Sequence, residues 1–157
     1  MERNELRQEV AAVVNEITIA LLEGVFAEVW SRGTSSDEAG WTSGNPSYGH
    51  CAIAVLTAHE VLGGDILRYD LSGTPYEHLR SHYKLRLPGG AIEDFTGDQF
   101  RAGLPAWEKL DVKIKTREEL LDPTNKNNEG TIRRYAVFRG RVYELVQEIL
   151  QDLRARV

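Results

Sequence analysis

The sequence predicts an α+β domain: a small antiparallel sheet packed on a buried central helix, flanked by long N- and C-terminal helices. Three observations predict it. Both ends of the chain carry apolar residues at three- and four-residue steps, the spacing of one helix face. The middle holds the run Cys51 to Leu62, apolar on nearly every side up to Ala58, which marks a helix buried at the centre of the fold. Beyond it, short strand-like segments surround Pro88-Gly89-Gly90, a hairpin sequence. At 157 residues the chain suits one domain, residues 1–157, with a core of its own.

The elements follow in order. Leu6, Val10, Val13, Val14, Ile17, Leu21, Leu22, Val25, Phe26 and Val29 predict a packing helix over the first thirty residues, with Thr18 the point at which it would break. Ser31 to Ser47 is a polar loop rich in Gly, Ser and Thr. The central helix closes at Gly63-Gly64, because glycine tolerates the left-handed backbone that follows a helix end. Asp65 to Leu71 reads as a strand, Ser72 to Glu77 as a loop, and His78 to Leu87 and Ala91 to Phe95 as a strand pair. Thr96-Gly97-Asp98-Gln99 and Thr116-Arg117-Glu118-Glu119 both read as capping boxes opening short helices. After a polar loop from Asp122 to Gly130, the segment Thr131 to Arg156 is a strong amphipathic helix. Its stripe is Ile132, Tyr135, Phe138, Val142, Leu145, Val146, Ile149 and Leu153.

Composition narrows the function classes. The formal charge of -5 and pI near 5.4 argue against a nucleic-acid partner, whose phosphates reward a basic face. No apolar run is read as approaching the roughly 18 residues of a membrane span, and the charged start MERNELRQEV lacks the apolar stretch of a signal peptide. A cytoplasmic protein with no membrane partner is expected. The single cysteine cannot form an internal disulfide, which fits a reducing compartment, and it excludes a Cys-rich zinc site.

That cysteine is the centre of the functional reading. Pro46 and the loop before it block an earlier helix start, and Ser47 or a neighbour is a candidate N-cap. Cys51 then lies in the first helical turn, where free N–H groups and the helix dipole favour a thiolate. The hairpin supplies the second half of the chemistry. With the three-residue loop Pro88-Gly89-Gly90, Leu87 pairs with Ala91, and His82 and Asp94 become diagonal neighbours on one face. With the loop Leu87-Pro88-Gly89 they stand directly opposite. A two-residue Gly89-Gly90 loop would put them on opposite faces. Proline at the first turn position favours three residues. A carboxylate on one ring nitrogen would fix the tautomer of His82, leaving the other nitrogen to take the proton of Cys51. Whether the hairpin meets the helix tip is not encoded in any local pattern.

Several elements together resemble the YunG-like family of small bacterial proteins. They are Trp30-Ser31, Thr34-Ser35, Trp41, Asn45-Pro46-Ser47-Tyr48-Gly49-His50-Cys51, Gly63-Gly64-Asp65-Ile66-Leu67, Ser81-His82-Tyr83, Gly90, Asp94-Phe95-Thr96, Gln99-Phe100, Arg134-Tyr135 and Arg141-Val142. The resemblance runs from about Ala27 to Leu145. It implies a core similar to papain-like and transglutaminase-like cysteine enzymes, in which the nucleophile opens a helix and the His and Asp follow from adjacent strands. The chain order Cys51, His82, Asp94 agrees. Two departures stand out: His50 replaces the Gln that usually precedes the cysteine, and Lys84-Leu85 replaces the Trp-Asn that usually follows Ser-His-Tyr.

The expected function is therefore a thiol enzyme acting on an amide, as hydrolase, deamidase or acyltransferase, with Cys51, His82 and Asp94 as its catalytic residues. The competing expectation is an inactive scaffold of the same fold that binds a protein or small molecule. Asn45, six residues before Cys51, and His50 are the candidates for the oxyanion hole. Trp41 either lines a substrate cleft or seals the core, and Trp107 is read as packing. His50, Cys51, His82 and Asp94 are metal-ligating types, but no HExxH or CxxC spacing joins them, so neither metal nor cofactor is expected.

Overall fold

The computed structural model describes residues 2–157 and has the expected α+β architecture. Its elements are helix α1 (Arg3–Val29), helix α2 (Cys51–Leu62), strands β1 (Asp65–Asp70), β2 (Ser81–Arg86), β3 (Ile92–Glu93) and β4 (Val112–Lys115), the one-turn helix α3 (Arg117–Leu120) and helix α4 (Glu129–Ala155). The sheet order is β3-β2-β1-β4, with every neighbouring pair antiparallel.

Helix α2 buries Ile53 through Ala58 without interruption, as its apolar sequence requires. It lies between the sheet and the helical layer. Leu22, Val25 and Phe26 of α1, Ile66 of β1, Leu85 of β2 and Tyr135, Phe138 and Val142 of α4 complete the core around it. Arg117 fastens these layers: its guanidinium donates to the Leu56 carbonyl at 2.6 Å and to the Tyr135 hydroxyl at 2.6 Å. Glu60 of α2 accepts from Arg139 of α4 at 2.8 Å, a second tie between the two helices.

Helix α1 differs from the expectation in three ways. It is unbroken at Thr18, whose hydroxyl donates to the Val14 carbonyl at 2.7 Å inside the helix. Only its C-terminal part packs: Leu22, Val25 and Phe26 are buried, whereas Leu6, Val10, Val13, Val14 and Ile17 are each more than half exposed. At 1.5 Å per residue this helix is about 40 Å long, and only its last turns meet the core. The periodicity names the apolar face; it does not say that another layer reaches it. The third difference concerns membranes. The best 18-residue window of α1 has a mean hydropathy of 1.8, so by length and composition this helix meets the requirement for a membrane span, contrary to what the sequence suggests at first sight.

Strand β4 has no strong local signal. Val-Lys-Ile-Lys is short, and its Val112 and Ile114 are exposed, so pairing with β1 defines it rather than burial. Its lysines suit the open edge of the sheet. Strand β2 starts later than expected: His78 lies in a 3-10 turn, Glu77–Leu79, and the strand begins at Ser81.

Candidate functional site

The loop before α2 folds on itself and delivers Cys51 at a fixed place. Ser35 donates its hydroxyl to the Tyr48 carbonyl at 2.8 Å, and the Ser36 N–H donates to the Gly49 carbonyl at 2.9 Å. Gly49 has φ +77, and a Cβ there would collide with the Ser35 hydroxyl and the Ser36 backbone, so only glycine fits this approach. The residue preceding the helix is His50, not Ser47, and it makes no side-chain cap. Cys51 is the first helical residue, with its backbone N–H among the orphan donors of a helix start. Ser47 is occupied elsewhere, donating to Asp98 Oδ1 at 2.6 Å.

The hairpin has the three-residue loop. The Leu87 N–H donates to the Ala91 carbonyl at 2.8 Å, and Leu85 pairs with Glu93. His82 and Asp94 are therefore diagonal neighbours, and His82 Nε2 lies 2.8 Å from Asp94 Oδ1. A carboxylate can only accept here, so the ring proton sits on Nε2 and Nδ1 is the nitrogen left for other partners. Gly97 makes room for this carboxylate: a Cβ at that position would come within 2.9 Å of Asp94 Oδ2.

His82 is fully buried. Burial pulls its pKa down, but the hydrogen bond to Asp94 and the interaction with the Cys51 thiol, by hydrogen bond and by charge, outweigh it and push the value up to about 9. Trp107 stacks on the ring with centroids 5.0 Å apart, and Phe100 meets it edge-on at 4.8 Å. Trp107 is thus a packing residue, as expected, and it packs on His82, shielding the imidazole from water. Lys84 lies over the Trp107 ring, its Nζ 3.8 Å from the ring centroid and 3.9 Å from Asp94 Oδ2. Burial holds this lysine below the usual ammonium range.

What joins the cysteine to the hairpin is the 3-10 turn Gly97–Gln99. Asn45 Nδ2 donates to the Gln99 carbonyl at 2.9 Å, and the Gly49 N–H donates to Gln99 Oε1 at 3.1 Å. Gln99 Nε2 in turn donates to Thr96 Oγ1 at 3.1 Å and lies 3.4 Å from His82 Nδ1. The thiol of Cys51 points at the Ser81 carbonyl, at 3.7 Å, one residue from His82. Gln99 does not act as the helix-capping partner of Thr96 that its spacing suggests. The turn is too short for that, and the buried amide instead bridges three segments. Its place in the Asp-x-Thr-x-x-Gln-Phe element is the one sequence signal for this role.

The other sequence candidates fall differently. His50 is fully buried against Trp30 and Phe138. Its Nδ1–H donates to the Tyr48 carbonyl at 2.9 Å, and its Nε2 accepts from the Thr34 hydroxyl at 2.8 Å. Burial, against opposing backbone hydrogen bonds, brings its pKa down to about 4. A neutral ring with both nitrogens engaged in the core leaves no N–H to aim at an oxyanion beside Cys51. Asn45 spends its amide on Gln99, although its Oδ1 is buried without a partner. Trp41 donates Nε1–H to the Pro46 carbonyl at 2.9 Å and lies under the Arg32 guanidinium. It braces the loop rather than lining the cleft at Cys51. That cleft, about 970 Å³, is bounded by Gly49, Cys51, Tyr83, Gln99 and Arg134 among others.

Fold and site define an α+β protein whose only cysteine opens its central helix, with its thiol directed at the residue before a buried histidine that is held by an aspartate. The chain belongs to the YunG protein family: the family model matches residues 18–147, from the middle of α1 to the middle of α4. No curated protein and no solved structure matches it.

Proposed function

We propose that the protein is a thiol enzyme acting on an amide, with Cys51 as nucleophile, His82 as acid and base and Asp94 as the group that orients His82. The reading rests on one observation: a buried imidazole with a carboxylate on Nε2, next in sequence to Ser81, whose carbonyl the Cys51 thiol points at. In this papain-like arrangement His82 takes the thiol proton and the Cys51 sulfur attacks the substrate carbonyl carbon. The oxyanion that forms faces the backbone N–H of Cys51, an orphan donor at the start of α2. Collapse breaks the C–N bond as His82 returns the proton to the departing nitrogen, leaving a thioester. Water or an amine then attacks the thioester, with His82 again as base. Asp94 keeps the ring proton on Nε2, and Trp107 helps keep water off the imidazole.

An activated ester tests this without knowledge of the natural substrate. With p-nitrophenyl acetate, Cys51 should gain an acetyl group visible by intact mass and lose it again with turnover. The His82→Ala variant should lose about a hundredfold or more of this rate, the usual scale of general acid–base catalysis. Acetylation of Cys51 no faster than that of glutathione would contradict the reading. A binding scaffold without turnover is the second reading, supported by the engagement of both Asn45 and His50 away from an oxyanion position. It predicts that Cys51→Ser leaves the biological phenotype intact.

A further inference from the structure

The cleft beside Cys51 is lined by charges of both signs, but their engagement is unequal. The carboxylates of Asp37, Glu119 and Asp122 are all occupied by the protein. Asp37 accepts from the Tyr48 hydroxyl at 2.7 Å, Glu119 from Lys115 at 3.4 Å and Asp122 from the Thr124 hydroxyl at 2.7 Å. The arginines on the same walls, Arg68, Arg80 and Arg134, have no carboxylate within 4.0 Å among the described residues. These three guanidiniums leave positive charge on the cleft wall that no carboxylate of the protein neutralises by direct contact.

Arg134 is the most constrained of them. It projects from the first turns of α4, where its guanidinium packs over Gly130; a Cβ at that glycine would come 2.6 Å from Nη1. Nη2 donates weakly to the Thr131 hydroxyl at 3.4 Å, and Nε is buried with no partner. Glu38 and Cys51 interact with it through charge alone. A half-buried guanidinium with an orphan N–H is costly unless an acceptor arrives. The planar acceptor that satisfies two adjacent N–H groups of a guanidinium is a carboxylate.

We propose that Arg134 is a binding residue for a substrate carboxylate, so that the amide attacked at Cys51 belongs to a molecule carrying a carboxylate near the scissile carbonyl. This rests on the thiol-enzyme reading and adds a substrate class to it.

Two alkylating agents of the same shape separate the two claims. Iodoacetamide and iodoacetate both transfer a carbon to the Cys51 sulfur with loss of iodide, but only iodoacetate carries a carboxylate. The neutral reagent reports activation of the thiol; the ratio of the two rates reports the anion site. In the wild-type protein iodoacetate should gain relative to iodoacetamide, and Arg134→Gln should lower the ratio about tenfold, the scale of one charge-assisted hydrogen bond. Any change in thiol activation caused by the lost charge is shared by both reagents and cancels in the ratio, and Arg134→Lys should restore part of the ratio. An unchanged ratio in Arg134→Gln overturns the carboxylate site while leaving the thiol reading intact. Should the variant fail to fold, the wild-type protein answers the same question. Succinate should slow iodoacetamide alkylation saturably while succinamide does not, and equal effects of the two overturn the proposal.

Discussion

The side-chain carbonyl of Gln99 accepts the backbone N–H of Gly49 at 3.1 Å, across fifty positions of sequence, and this bond ties the loop that delivers Cys51 to the turn that follows the hairpin. The same amide donates to Thr96 and approaches His82 Nδ1, so one buried side chain links the loop before Cys51, the end of the hairpin and the His82 ring.

Gln99→Leu should therefore cost more than a packing change of similar volume. It leaves the Gly49 N–H and the Thr96 hydroxyl without their buried partner, a loss of about 1–3 kcal/mol. Urea unfolding measures the stability, and alkylation of Cys51 in the same sample should slow because the loop is released. Wild-type stability together with wild-type alkylation would show that the bridge is dispensable.

The His82–Asp94 pair makes a pH prediction. His82 titrates at about 9 in the folded protein, above an ordinary histidine near 6.5. A group whose folded pKa is raised contributes stability that is fully present below the unfolded pKa and disappears as pH rises through the folded one. The wild-type urea midpoint should thus fall between about pH 6.5 and 9, and Asp94→Asn should flatten that fall and lower the His82 value followed by NMR of its ring nitrogens. A wild-type His82 that titrates like an ordinary histidine would remove the basis for the pair.

His50 should behave as a structural residue. Its ring stands among Trp30, Phe138 and the Thr34 hydroxyl rather than in the cleft. His50→Gln should lower stability by about 1–3 kcal/mol through disrupted buried hydrogen bonds, yet keep alkylation of Cys51 within a few-fold of wild type. A hundredfold loss of reactivity in a folded variant would return His50 to the catalytic machinery.

The two halves of α1 should respond oppositely to substitution. Val10→Ser lies on the exposed stretch and should change stability by no more than about 0.5 kcal/mol. Phe26→Ala removes a ring packed against Trp30, Phe95 and Phe138 and should cost about 3–5 kcal/mol. Thermal or chemical unfolding distinguishes them directly.

How much of the molecule is legible in its sequence follows from what each signal encodes. The bounds of α2 are readable because an all-round apolar run closed by two glycines leaves little choice. The pairing of His82 with Asp94 is readable because strand parity and a proline-led turn fix which side chains share a face. The capping box at Thr116 forms, with Glu119 bonded back to it. The box at Thr96 does not, because its glutamine finds buried partners far away in sequence. Those partners, Gly49 and Asn45, are invisible to any local pattern, as is the exposure of half of α1. Long-range contacts decide both. The same limit explains His50 and Asn45: their positions close to Cys51 in sequence suggest the cleft, while the fold of the loop turns their polar atoms inward.

The rate at which iodoacetamide alkylates Cys51 at about pH 6, in wild type and in His82→Ala, tests the central claim most directly. A Cys51 activated by His82 should react at least about tenfold faster than glutathione at that pH, and the His82→Ala variant should fall back to the glutathione rate. Equal rates for the wild type, the variant and glutathione would mean that the imidazole and the thiol are neighbours without being partners.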